Sequence, residues 1–320
     1  MRNRNKKGFT LVELIIVLGI IAVLTHLAVR EAGKFSNMNR RTQANRQLES
    51  IRDSIVGKDE NFETGFFADM GRLPCAVEQT NSNGSVFFSL AELWQKPDGA
   101  QAYGVVQAVS SNIIEGNPLE SDPDVFVPCG WRGPYVRLPL GSDRLRDPWG
   151  NPYETPDDAG GKYRLRGTGG TDITKEGEEI TIIGHLGADG LPDKLRTPSN
   201  AEAQDCMITN LAQRAASLVV VITPVDSSGS VETLTQSKVC VYGPWEEPAT
   251  GAIKVYARTG TGVGTVTVEN LKPGPHLFKI KYNMQNNWAA QYTVLKPGVN
   301  YHAVKISVPD IISAEGGDEP

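Results

Sequence analysis

Residues 9–29, FTLVELIIVLGIIAVLTHLAV, carry the strongest signal in the chain. They are 21 residues, mostly Leu, Ile and Val, and about 20 apolar residues suffice for a helix to span a bilayer. Ahead of them stand Arg2, Arg4, Lys6 and Lys7 and no acid. Such a basic flank holds the N-terminus in the cytoplasm and sends the rest of the chain outward. Glu13 is out of place in the run, because an ionised carboxylate there costs a few kcal/mol unless it finds a partner. An ordinary secretory signal peptide avoids that charge and offers a small-x-small cleavage site after its apolar core. No such site follows Leu24.

The residues Lys6-Lys7-Gly8-Phe9-Thr10-Leu11-Val12-Glu13-Leu14 resemble the leader and first residues of type IV prepilins and type II secretion pseudopilins. The resemblance covers about thirty residues. It implies that a prepilin peptidase cuts between Gly8 and Phe9, methylates Phe9, and leaves Glu13 as the fifth residue of the mature chain. The chemistry is coherent by itself. Cleavage exposes an ammonium on Phe9, and Glu13 lies one helical turn along. In a bundle of identical helices the carboxylate of one subunit can pair with the ammonium of its neighbour. Apolar surroundings make that pairing strong and a missed register costly, so Phe9 and Glu13 are the expected assembly pair. The alternative is an uncleaved anchor with Glu13 near the interface.

Beyond the apolar run, Ala44, Leu48, Ile51 and Ile55 recur at three- and four-residue spacing among polar residues. That pattern predicts an amphipathic continuation over 30–57 with one face on a domain. No proline precedes Pro74, although many of the resembled proteins carry a kinking one near the end of the run. A straight helix over 10–56 is therefore expected, about 70 Å long, with Gly57 ending it.

Composition bounds the rest. An apolar fraction of 39% with 33 Gly and 20 Pro predicts short strands and many turns. Without the leader, 28 basic residues face 37 acidic ones, a balance of −9, which disfavours nucleic acid as a partner. Cys75, Cys129, Cys206 and Cys240 form no C-x-x-C pair and the four His are scattered, which disfavours zinc. An even cysteine count in an exported chain favours disulfides, with Cys75–Cys129 and Cys206–Cys240 the nearer pairings among three connectivities. Four buried thiols are the alternative.

Residues 58–205 read as an α+β head, a small antiparallel sheet laid on the stem, with strand candidates at 135–138, 163–166 and 179–183. Residues 76–130 look inserted. The run Asp147-Pro148-Trp149-Gly150-Asn151-Pro152-Tyr153 has the residues of a tight turn pinned by aromatics. It also resembles a turn of major type II secretion pseudopilins. Gly187-Ala188-Asp189-Gly190 resembles a segment of the same proteins near a calcium loop, which makes Asp189 and Asp193 candidate Ca2+ ligands. A plain Asx turn explains them equally, and the downstream ligand-bearing pattern is not recognisable.

Residues 206–312 hold seven strand candidates, separated in places by Lys272-Pro273-Gly274 and Lys296-Pro297-Gly298. They predict an antiparallel β-sandwich, similar to Ig-like or prealbumin-like modules, before an acidic tail at 313–320 expected to be disordered. Trp245 and Trp288 are candidate contacts or core residues. The expected whole is α+β: a leader (1–8), a transmembrane and assembly helix (9–29), its continuation, a head and a sandwich. No phosphate loop, H-E-x-x-H or G-x-S-x-G occurs, so an enzyme is not expected. The resemblance implies a filament subunit of a type II secretion pseudopilus or type IV pilus-like machine. Its implied partners are other pilin-like subunits, prepilin peptidase and an inner-membrane assembly platform. Its implied location is the inner membrane, then a periplasmic or extracellular filament. A minor pilin whose sandwich binds a surface or ligand is the alternative.

Overall fold

The computed structural model describes residues 11–58, 62–109, 111–115, 121–155, 165–184, 215–225, 228–231, 236–246, 252–282 and 288–307. The fold is α+β: one long helix, a short one, and many short sheets. Helix α1 (Leu11–Val56) runs unbroken for 46 residues, about 70 Å at 1.5 Å per residue. No proline interrupts it. It stops where Gly57 takes φ 86° and its N–H closes on Asp53 O at 2.9 Å. The positions picked by helical spacing, Ala44, Leu48, Ile51 and Ile55, are all buried. Their aliphatic face forms one wall of the head's core, against Phe62, Phe66, Met70, Phe88, Leu90 and Tyr153.

The head holds α2 (Phe66–Met70) and an antiparallel sheet of β1 (Val77–Thr80), β2 (Val86–Ser89) and β6 (Glu154–Thr155). A two-stranded pair, β7 (Leu165–Arg166) and β8 (Ile182–Ile183), completes it. The expected strand at 135–138 is irregular chain. Its N–H groups at Tyr135 and Val136 both turn onto Leu93 O, at 2.7 and 3.0 Å, and Pro134 and Pro139 on either side limit any ladder. The candidates at 163–166 and 179–183 are reduced to two-residue strands in the described residues.

The region 76–130 does more than enlarge the head. Beside β1 and β2 it supplies β3 (Gly104–Ala108), β4 (Ile113–Glu115) and β5 (Asp122–Cys129). Strands β3 and β5 form an antiparallel ribbon. The C-terminal strands are β9 (Ala216–Val225), β10 (Ser237–Glu246), β11 (Ile253–Gly262), β12 (Thr265–Leu271), β13 (Gly274–Tyr282), β14 (Trp288–Leu295) and β15 (Gly298–Ser307). Every one of the seven expected strands is present. They form a sandwich of a five-stranded sheet, β14-β13-β10-β11-β4, over a three-stranded one, β12-β9-β15. The Lys-Pro-Gly turns join β12 to β13 and β14 to β15. The core between the sheets includes Val220, Val239, Val241, Phe278, Ile280 and Val304.

Two features correct an all-antiparallel, separate sandwich. Strand β15 pairs with β9 in parallel over its whole length, because the turn at 296–298 carries the chain from one sheet to the other as it reverses. Strand β4 of the inserted region pairs in parallel with β11, so the five-stranded sheet borrows its last strand. The ribbon's inward residues, Ala108, Val125 and Val127, pack on Tyr242, Val255 and Ala257. Lys279 Nζ donates to Asp122 Oδ2 at 2.7 Å across that contact. The insertion thereby fastens head to sandwich.

Candidate assembly helix and the head that carries it

The outer half of α1 is apolar all round. Within Leu11–Val29, 19 residues long, nothing is buried by the rest of the chain. Thirteen large aliphatic side chains there stand exposed, from Leu11 to Val29. At about 1.5–3 kcal/mol each, leaving them in water costs on the order of 20–40 kcal/mol. A helix hydrophobic on every side demands lipid or other helices around it. Beyond its first turn the helix satisfies its backbone with its own ladder, and Thr25 Oγ1 donates to Ile21 O at 2.7 Å, as a bilayer requires. Glu13 sits in the first turn. Gly8 and Phe9 lie outside the described residues.

The stem's lower half is gripped by the turn singled out in the sequence. Asp147 Oδ1 accepts from the N–H of Trp149 (3.0 Å) and of Asn151 (2.8 Å), and Oδ2 from Asn151 Nδ2 (3.1 Å). Gly150 supplies φ 93°, and its N–H closes on Asp147 O at 2.9 Å. The turn then reaches α1. Gln47 Nε2 donates to Arg146 O at 2.9 Å, and Tyr153, buried in the head core, donates from its hydroxyl to Gln47 Oε1 at 3.4 Å. Tyr153 thus pins the turn to the stem, while Pro152 bridges back to Arg146 and Trp149 is half-buried. The Asp147 carboxylate, the Asn151 amide and the Tyr153 hydroxyl each have a structural task in this turn.

Spacing gave no sign of the deepest charged group. Arg72 and Glu92 form a buried bidentate pair, Nη1–Oε2 2.8 Å and Nη2–Oε1 2.9 Å, and Glu92 Oε2 also accepts from the Cys75 N–H at 2.6 Å. Twenty residues separate the partners, beyond any local pattern. A second cluster centres on Asp69. Burial pushes its carboxyl up despite Arg132 beside it; Arg132 contacts it at 3.0 Å and Tyr135 donates to it at 2.9 Å. Burial also pushes the Tyr135 phenol up, with the Asp69 charge adding to it. At the joint with the sandwich lies a cavity of about 310 Å3 lined by Gly71, Glu179, Trp245 and Lys272, among others. There burial raises the Glu179 carboxyl and Lys272 Nζ sits over the Trp245 ring, 2.8 Å from its centre. Trp245 is therefore a half-buried joint residue; the side chain of Trp288 is outside the described ones.

The cysteines correct an expectation. Cys75, Cys129 and Cys240 are buried thiols, and no disulfide joins Cys75 to Cys129. Each sulfur is occupied locally: Cys75 Sγ accepts from Arg72 Nη1 at 3.4 Å, and Cys129 Sγ donates to Val127 O at 3.5 Å. Burial and the Asp69 charge push the Cys129 thiol up to about 12. Cys206 lies outside the described residues, as do Asp189 and Asp193. Among the described residues no group of three His, Cys, Asp or Glu is placed to hold a metal.

Residues 3–29 match the sequence profile of the prokaryotic N-terminal methylation motif. A search of curated proteins returned no match.

Proposed function

We propose that this chain is a pilin-like structural subunit. Prepilin peptidase cuts it after Gly8 and methylates Phe9, and the mature chain polymerises through α1 into a type II secretion pseudopilus or type IV pilus-like filament. One observation carries the reading: the methylation motif coincides with a helix whose outer 19 residues are apolar on every side and have no cover from their own chain. Before assembly the bilayer supplies that cover. On extraction by an inner-membrane platform, each helix exchanges lipid for neighbouring helices, a trade that packing of aliphatic side chains makes close to neutral. Glu13 sets the register by pairing with the Phe9 ammonium of a neighbour, since a missed pairing leaves a carboxylate unpaired in apolar surroundings. The stem–turn–head connections through Gln47 transmit axial pull to the exported body.

The test is mass spectrometry of the mature N-terminus, with Gly8 and Glu13 substituted in parallel. A chain beginning at methylated Phe9 is expected. Glu13→Ala leaves cleavage intact and abolishes filaments. A mature protein that begins at Met1 overturns the reading.

A second reading, a minor pilin or adhesin, draws on the sandwich surface. Tyr301 and Val299 on β15 and Val221 on β9 are exposed on the outer side of the three-stranded sheet, an apolar face suited to a ligand or surface. Antibody labelling of purified filaments separates the readings: labelling along the shaft favours the first, labelling confined to tips the second.

A further inference from the structure

Charge at the foot of the stem runs against the usual bias of a membrane protein. The span Leu11–Val29 holds 19 residues, about 28 Å at 1.5 Å per residue, which nearly fills a hydrocarbon core of about 30 Å. That fit sets its outer boundary at Val29, and α1 continues through it unbroken. Just beyond, residues 30–46 hold Arg30, Lys34, Arg40, Arg41 and Arg46 against Glu31. On the other side stand Arg2, Arg4, Lys6 and Lys7, and basic residues are ordinarily concentrated on that cytoplasmic side. A cut after Gly8 removes all four. The mature chain then carries five basic residues within 17 positions of the exported boundary, and the Phe9 ammonium stands in for the leader's charge.

Depth decides what those residues meet. The headgroup layer is roughly 5–8 Å thick. Arg30 and Lys34 stand about 1.5 and 7.5 Å beyond Val29 along the axis, within that layer. Arg40 and Arg41 stand about 17 Å out, roughly one Debye length above it. The head first buries the stem at Ala44, and none of the described side chains between Val29 and Ala44 is buried. The foot is therefore open to the leaflet. At about 100° per residue, Arg30, Lys34 and Arg41 fall within about 40° of one another, in the sector that carries Leu48 and Ile55 to the head. They make one basic stripe beneath the head. A membrane-crossing helix is ringed by headgroups, so Arg40 counts with the stripe although it lies about a quarter-turn to one side.

We propose that the foot of the stem, residues 30–41, is a binding site for anionic phospholipid headgroups of the exported leaflet. These headgroups take over the charge-based anchoring that the leader provides before it is cut. The inference rests on the membrane stage and the processing of the pilin-like reading. The chemistry suits phosphate: a guanidinium offers two parallel N–H donors to its oxygens, and an ammonium offers a compact charge. Each basic residue close to an anionic surface raises the affinity about fivefold, and salt screens the attraction. The stem thereby keeps a salt-sensitive hold on the leaflet until it is extracted.

The test uses the mature full chain in phosphatidylcholine bilayers, with spin-labelled phosphatidylglycerol or spin-labelled phosphatidylcholine as the probe. The share of each probe that the protein immobilises gives their relative affinity. Phosphatidylglycerol is expected to be favoured about fivefold or more at low salt, and less than about twofold in 1 M NaCl. Arg30→Gln together with Lys34→Gln is expected to bring the low-salt preference below about twofold. Arg46→Gln, about 25 Å beyond Val29, is expected to leave it unchanged. Equal immobilisation of the two probes overturns the lipid site and leaves the membrane span standing. So does a preference that the double substitution does not alter. Loss of the preference to inorganic phosphate, beyond the effect of NaCl at the same ionic strength, also overturns it, because a free anion is then the occupant. A chain that alkaline carbonate washes off the bilayer overturns the membrane stage as well.

Discussion

Gly71 meets Pro244 so closely that a Cβ on Gly71 would stand 1.9 Å from the Pro244 carbonyl oxygen. Gly71 ends α2 at φ 68°, and Pro244 belongs to β10. The head and the sandwich touch backbone to backbone there, and Lys272 Nζ donates to Gly71 O at 3.3 Å beside it. Gly71→Ala adds backbone strain of about 1 kcal/mol and a clash that only separation of the two parts relieves, for a total of roughly 2–4 kcal/mol. Gly84→Ala, at φ 83° with nothing within 4 Å, bears only the first cost. Hydrogen exchange on the full chain in detergent checks this: Gly71→Ala is expected to speed exchange at 237–246, and Gly84→Ala to leave it alone.

The Lys279–Asp122 pair holds the same joint from the ribbon side. Its side chains are 9% and 13% exposed, so removing one partner strands a largely desolvated charge. Lys279→Met or Asp122→Leu alone is expected to cost about 2–4 kcal/mol, and the pair of changes together clearly less than the sum. A double-mutant cycle by thermal unfolding of the full chain in detergent reads the coupling; additive single effects would show that the pair contributes nothing.

Much of the fold was legible because its signals are local. The 3.6-residue spacing of Ala44, Leu48, Ile51 and Ile55 sets the buried face of α1, and Gly57 stops it as a left-handed terminus. The paired Lys-Pro-Gly turns and β-branched runs disclose the seven C-terminal strands. Contacts between segments distant in the chain left no such trace. Nothing near Ile113 announces that β4 will pair with β11, 140 residues on, and Arg72 has no pattern linking it to Glu92. The 135–138 stretch looks like a strand by composition, yet its backbone finds Leu93 O first. Of the residues singled out, the Asp147 turn was legible because its hydrogen bonds close within one loop, while for Glu13 the structure gives only its place in the first turn of α1.

The thiols give a chemical check. Cys129 is buried, with its thiol raised to about 12 by desolvation and by Asp69, and thiolate is the reactive form. Iodoacetamide at pH 8 is expected to leave Cys129 unmodified in the folded chain, and to label both Cys75 and Cys129 after denaturation without reductant. Peptide mass mapping decides it: a Cys75–Cys129 linked peptide would show that the two sulfurs pair in cells.

His276 makes the sandwich sensitive to acid. It is buried on β13, and its Nδ1–H donates to Gly274 O at 2.8 Å. Nε2 is then the acceptor for the Tyr256 hydroxyl, whose oxygen in turn accepts from the Lys272 N–H at 3.1 Å. The chain of bonds runs in one direction, fixes one neutral tautomer and ties the turn at 272–274 to β11. Burial lowers the imidazole from 6.5 to about 4. Between those values the unfolded chain binds a proton that the folded one refuses. Stability therefore falls as pH drops from about 6.5 toward 4, by up to roughly 3 kcal/mol, and is independent of this group above 6.5. The raised carboxyls of Asp69 and Glu179 act oppositely: they favour the fold at low pH, and that contribution is lost as pH rises through their folded values. The difference between the wild-type and His276→Gln profiles isolates the imidazole, because the carboxyls are common to both. Thermal unfolding of the full chain in detergent from pH 4 to 8 is expected to show wild type losing its advantage over the variant as pH falls below 6.5. A difference that stays constant over that range would mean that the ring is protonated within the fold.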